Sequence, residues 1–135
     1  MESAPAHLGE LRMTLLPAVG AARQARELVT EACARAELVS LAGAACTVVT
    51  ELVNNAVVHA RTPLELVIGL RPDGLDIAVH DGSRQLPEPR VPRPATAPGG
   101  RGMIMVSALA ARWGVETTPR GKVVWAVLDE SCADR

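Results

Sequence analysis

The chain contains no phenylalanine, no tyrosine and only two tryptophans, and its single lysine, Lys122, stands against thirteen arginines. That skew resembles translation from GC-rich codons and carries little chemistry. The other absences exclude more. With a formal net charge of −1 and a pI near 6.3 there is no electrostatic footprint for a nucleic-acid duplex or an anionic membrane surface. The opening residues, MESAPAHLGELR, lack a basic region followed by an apolar core. No apolar run is read as approaching the roughly 20 residues that span a bilayer, so a cytoplasmic location is expected. Cys33, Cys46 and Cys132 stand at no metal-ligand spacing. Two of them lie in alanine-rich helical segments, and all three are expected to be free thiols, buried or terminal.

What is present suffices for one domain over residues 1–135, since 48% of the chain is hydrophobic and can bury a core. LRMTLL (11–16) reads as a strand. Pro17 suits the first turn of a helix, where its missing N–H would be unsatisfied anyway. A helix over 17–36 follows, with Val19, Ala22, Ala25, Val29, Ala32 and Ala36 recurring at three and four as its buried stripe. A second helix covers 39–60. LELVIGL (64–70) and LDIAVHD (75–81) form a hairpin around PDG. Five prolines between Pro87 and Pro98 deny 82–99 helix or central strand. GGRGMIMVSALAARWG opens on glycines and becomes a helix, VETT (115–118) and KVVWAVL (122–128) form a second hairpin, and the tail over 129–135 is expected to fray. This order predicts a two-layer α+β sandwich.

Within the second helix, ELVNNAVVHA places two asparagines where an amide competes for backbone hydrogen bonds and costs several tenths of a kcal/mol. Glu51, Asn55 and His59 are spaced by four and share one face beside a core stripe of Val48, Val49, Leu52, Val53 and Ala56. A solvated polar face is one reading. The other is a Mg²⁺ held mainly by substrate phosphates, which needs few protein ligands, all oxygen, and a base beside them. Asp81 and Gly82 then bring a carboxylate to a strand end where backbone can approach a ligand closely. GGRG (99–102) before a helix leaves N–H groups free to meet phosphate oxygens. Each feature alone has an ordinary explanation as turn or hinge; the three in this order are far more specific.

ELVNNAVVHA, HDGS, GGRGMIMV and GKVVW resemble the N box and glycine boxes of the Bergerat-fold ATPases, the superfamily of gyrase, the heat-shock chaperone ATPase, histidine kinases and the MutL mismatch-repair protein. The likeness is strongest to the serine kinase anti-sigma factors and the stand-alone actinobacterial ATP-binding regulators, and runs from about Leu11 to Leu128. It implies a two-layer α/β sandwich with a mixed, mostly antiparallel sheet and helices on one face. It also implies ATP and Mg²⁺ as cofactors. Glu51 would be the general base and Asn55 the Mg²⁺ ligand. Asp81, beside Gly82, would accept from the adenine amino group. Gly100, Arg101 and Gly102 would bring N–H groups to the phosphates, and Met103 would pack near the base. Residues 83–98 would form a lid whose Arg84, Arg90 and Arg93 either pair with the triphosphate or a partner, or merely solvate the loop.

There are departures. Ser83 and Arg84 stand where a second glycine is common, and Val123 and Val124 stand where many members carry threonine. His59 is open between a phosphate contact and packing. Two classes of function follow. One is a protein-serine/threonine kinase that phosphorylates an anti-anti-sigma partner and sequesters a sigma factor. The other is a regulatory module that binds ATP and transfers nothing. A homodimer through the layer of the amino-terminal strand and helix is expected, a monomer would favour the second class, and neither nucleic acid nor membrane is an expected partner.

Overall fold

Alternation of aliphatic with polar residues over seven to nine positions makes strands that bury one face, and the described residues form five of them. A computed structural model describes residues 9–59, 62–82 and 100–134. The expected lid, with Arg84, Arg90 and Arg93, lies outside the described residues. The elements are β1 (Gly9–Leu15), α1 (Ala21–Arg35), a 3-10 turn (Val39–Leu41), α2 (Ala42–His59), β2 (Leu64–Arg71), β3 (Gly74–Asp81), α3 (Gly100–Leu109), β4 (Arg112–Thr118), β5 (Gly121–Asp129) and a second 3-10 turn (Glu130–Asp134).

The sheet has the order β1-β2-β3-β5-β4 and is antiparallel at every pairing. β2 and β3 are joined by a two-residue loop, Pro72-Asp73, and β4 and β5 by Pro119-Arg120. Both expected hairpins are therefore present. Leu64, Leu66, Ile68, Leu75, Ile77, Val79, Val124, Ala126 and Leu128 point to one face and are fully buried beneath the helices. α2 lies at the centre of that layer, packed against α1, α3, β3 and β5. At the β1 edge the Arg12 guanidinium hydrogen-bonds to the carboxylates of Glu10 and Glu65, which hold it above its ordinary range.

Four expectations need correction. The first helix begins at Ala21, not Pro17, because Gly20 takes a left-handed backbone (φ 101°) that no α-helix can contain. Its buried stripe is accordingly Ala21, Ala25, Leu28, Val29, Ala32 and Cys33, and Val19 is fully exposed. β4 starts at Arg112 rather than Val115, since Arg112, Trp113 and Gly114 pair with Val127, Ala126 and Trp125. The tail does not fray through Asp134: β5 continues to Asp129, a 3-10 turn follows, and Cys132 is completely buried. Finally, Val39–Val58 is long and apolar enough to cross a membrane by length and composition, with mean hydropathy 1.4. Glycine, alanine and threonine between the large aliphatics keep that run from standing out in the sequence. In the fold its apolar side, Leu41, Ala45, Val48, Val49, Leu52, Val53 and Ala56, is packed inside.

Candidate functional site

Chain topology brings four element ends together. α2 runs away from the end of the sandwich where the two 3-10 turns meet. Its last turn therefore lies where β2 begins, five residues after His59. β3 is antiparallel to β2 and so finishes there, at Asp81. β5 begins there too, with Lys122 opposite Asp81. α3 ends at the far side, where Ala111 N–H donates to Val127 O (2.8 Å) and Trp113 Nε1 donates to Ser107 Oγ (2.8 Å). Its amino terminus, ten residues or about 15 Å earlier, points back to the first side.

Each expected residue can be located against this frame. Glu51 is half-buried on α2, one turn before Asn55, while the neighbouring Asn54 faces solvent. Asn55 is 8% exposed, and its Nδ2 is buried with no hydrogen-bond partner. Leaving such a group unsatisfied costs about 1–3 kcal/mol, so this side chain sits where something from outside the fold can complete it. Asp81 is 6% exposed at the end of β3. Gly82 donates its N–H to Thr62 Oγ1 (2.9 Å), and a Cβ there would meet the Thr62 side chain at 3.0 Å. Gly82 thus ties the strand end to the segment between α2 and β2. Gly100, Arg101 and Gly102 form the first turn of α3, whose leading N–H groups have no acceptor within the helix. Met103 is half-buried against the core, whereas Ile104 and Met105 are exposed.

Three contributors are absent from the sequence-derived set. Lys122 is 1% exposed, and its Nζ lies 4.0 Å from Asp81 Oδ2 with both side chains wholly inaccessible. Strand alternation holds the signal for it, because Val124, Ala126 and Leu128 face the core and position 122 must share their side. Gly121 is the second: a Cβ there would collide with the Asp81 carbonyl oxygen, so its absence lets β5 close onto the strand end. Thr62 has no sequence signature.

The donor set fits a cation carried on phosphates. One carboxamide and one carboxylate lie a helical turn apart on α2. Among the described residues no group of three His, Cys, Asp or Glu could hold a metal alone. Mg²⁺ takes oxygen ligands and keeps most of them from water and phosphate. The oxygen and nitrogen of an asparagine amide are interchangeable by a half-turn. Asn55 can thus offer its oxygen to a cation or its N–H to a phosphate. A carboxylate at Asp81, the leading N–H groups of α3 and a second carboxylate at Glu51 belong to the same end.

A model of the histidine kinase-like ATPase domain family matches residues 4–128. No curated protein matches the chain.

Proposed function

The chain belongs to the histidine kinase-like ATPase domain family, and from that premise we propose that it is an ATP-binding anti-sigma factor with protein-serine/threonine kinase activity. In this reading it binds Mg·ATP at the polar end of the sandwich, phosphorylates an anti-anti-sigma protein and sequesters a sigma factor. The observation that carries the nucleotide site is Asn55, a buried amide without an internal partner on the face that holds Glu51. Magnesium, when bound, would neutralise charge on the phosphates, and Asn55 would hold it.

The remaining work falls to the chain's own groups. Asp81 accepts a hydrogen from the exocyclic amino group of the base. The leading N–H groups of α3 cradle phosphate oxygens. Glu51 takes the proton of the acceptor hydroxyl as that oxygen bonds to the terminal phosphorus, and the bond to the bridging oxygen breaks to leave ADP. Incubation with labelled ATP, Mg²⁺ and candidate anti-anti-sigma proteins tests transfer. Label on a serine or threonine of the partner, lost in Glu51→Ala while ATP still binds, is the expected result.

A binder that transfers nothing is the second reading, favoured by Val123 and Val124 at the positions where many members carry threonine. It predicts sigma-factor binding with no labelled product. Dimerisation belongs to the proposal as well. β1 lies at a sheet edge, whose free backbone groups invite pairing. On α1 the charges engage near neighbours, Arg23 with Glu27 (3.7 Å), Arg35 with Glu31, and Arg26 with Thr50 Oγ1 (3.1 Å). The edge strand is therefore the better candidate for the pairing surface. Light scattering at micromolar concentration should give twice 14.2 kDa; the monomer mass would remove the dimer.

A further inference from the structure

One side chain joins the segment that leaves α2 to the segment that leaves β3. Thr62, just ahead of β2, accepts the Gly82 N–H at its hydroxyl oxygen (2.9 Å). Packing reinforces the bond, since a Cβ at Gly82 would meet Thr62 Oγ1 and Cγ2 at 3.0 Å and Thr62 Cβ at 3.3 Å. β3 lies between β2 and β5, and on the β5 side a Cβ at Gly121 would meet the Asp81 carbonyl carbon at 2.9 Å and Gly82 Cα at 2.8 Å. The Asp81–Gly82 peptide is thus clamped from both sides. The threonine is held stiffly as well, because the ring of Pro63 keeps the residue before it extended and a β-branched side chain has few rotamers. Thr62 and Gly82 are both exposed, so water could satisfy either group, and burial does not demand the bond. What the bond does fix is the distance between two segments.

We propose that Thr62 is a positioning residue that sets the spacing between the two halves of the nucleotide site, the phosphate half at Asn55 on α2 and the base half at the end of β3. This rests on the nucleotide-binding reading above and deepens it. The hydroxyl touches no part of the nucleotide and acts through Gly82 alone. The role requires only that the end of β3 keep its place relative to α2. A ligand confined to one half does not sense that spacing. ATP engages both halves, and its second contact forms at full strength only when the two are already held at the distance it spans. The clamp therefore favours the whole nucleotide over either of its parts.

The test compares Thr62→Val, which keeps the shape and loses the acceptor, with Thr62→Ser, which keeps the hydroxyl. Calorimetry with Mg·ATP on the full chain should show Thr62→Val binding about three- to tenfold more weakly, the range that a neutral hydrogen bond contributes. Thr62→Ser should stay within about twofold of the unmodified chain. Adenosine and inorganic triphosphate, each measured by competition, should bind all three proteins alike. A second measurement needs no substitution: hydrogen exchange at the Gly82 amide should slow when ATP is bound and stay unchanged with adenosine or triphosphate alone, because a ligand that gains from the clamp must stabilise it in return. Unchanged ATP affinity in Thr62→Val, an equal loss for adenosine or triphosphate, or Gly82 exchange that ATP leaves unaltered would overturn the role of Thr62 and leave ATP binding intact. No binding of ATP by the unmodified chain would overturn the nucleotide reading itself, and this role with it.

Discussion

The two ends of the sandwich are made by the same helices and strands and differ in what they bury. At the end where the 3-10 turns meet, Leu38, Leu41, Leu75 and Leu128 close the layer with side chains that want nothing but contact. At the other end lie Asn55, Asp81 and Lys122, the three buried polar or charged side chains among the described residues. One end supplies stability and the other draws on it. A buried amide without a partner and an ion pair removed from water are tolerable only where the rest of the core is well packed, and their concentration at one end separates function from folding.

The sharpest way to break this comparison is to remove one charge of the pair. Asp81→Leu or Lys122→Met alone strands a buried ion and should cost about 3–5 kcal/mol in urea unfolding. The double variant should recover most of that loss while nucleotide binding stays lost. Recovery of binding along with stability would show that the polar end is structural. At the apolar end, Leu41→Ala should cost about 2–5 kcal/mol through the cavity it leaves, with ATP affinity unchanged. A matching fall in affinity would mean that the two ends are not separable.

These expectations draw on how legible each end was. The hairpin strands declared themselves through alternation and turn residues, and Asn55 and Asp81 through polar side chains at apolar-patterned positions. Gly20 was not legible as the stop before α1, because Pro17 is itself a good first-turn residue and only the backbone reveals the left-handed step. Cys132 is one small apolar residue in a polar tail, and a single residue has no period. Arg112–Gly114 continue the helical pattern of α3 and become strand only by pairing with β5. Lys122 was visible as a rarity of composition, but its partner became known only when β5 was laid against β3.

Smaller effects sharpen the contrast further. Burial, and secondarily the neighbouring Cys46, push the Cys33 thiol up to about 11. The folded chain therefore holds this proton at pH values where the unfolded chain has released it. Stability should fall as pH rises from about 9 towards 11, and Cys33→Ala should flatten that decline. A thiol count at pH 8 should find Cys46, which is half-exposed, reacting well before Cys33 and Cys132. At the foot of α1, Glu37 occupies the left-handed position (φ 58°) that usually belongs to glycine. There the Leu38 N–H reaches back to Cys33 O (2.8 Å). Glu37→Gly should raise stability by roughly 1 kcal/mol, read as a higher Tm, with no change in ligand binding. The smallest stability change is expected from Asn55→Ala, within about 1 kcal/mol of zero because the lost amide has no internal partner at Nδ2. Its affinity for Mg·ATP should nevertheless fall at least about tenfold. A large destabilisation with intact binding would place Asn55 among the structural residues instead.

The strand order carries a consequence for how the chain folds. Two of the four strand pairings are tight hairpins, which form in about 1–10 μs. β1–β2 and β3–β5 join residues far apart in the chain, as Leu15 with Leu64 and Asp81 with Lys122. The central β3–β5 seam must wait for the chain between Gly82 and Gly121 to close on itself, so assembly of the Asp81–Lys122 pair should coincide with the late docking of one preformed hairpin onto the other. Because closure entropy grows only as the logarithm of length, about 0.6 kcal/mol for each doubling, the sequence between those hairpins can lengthen or shorten with little effect on the seam it joins.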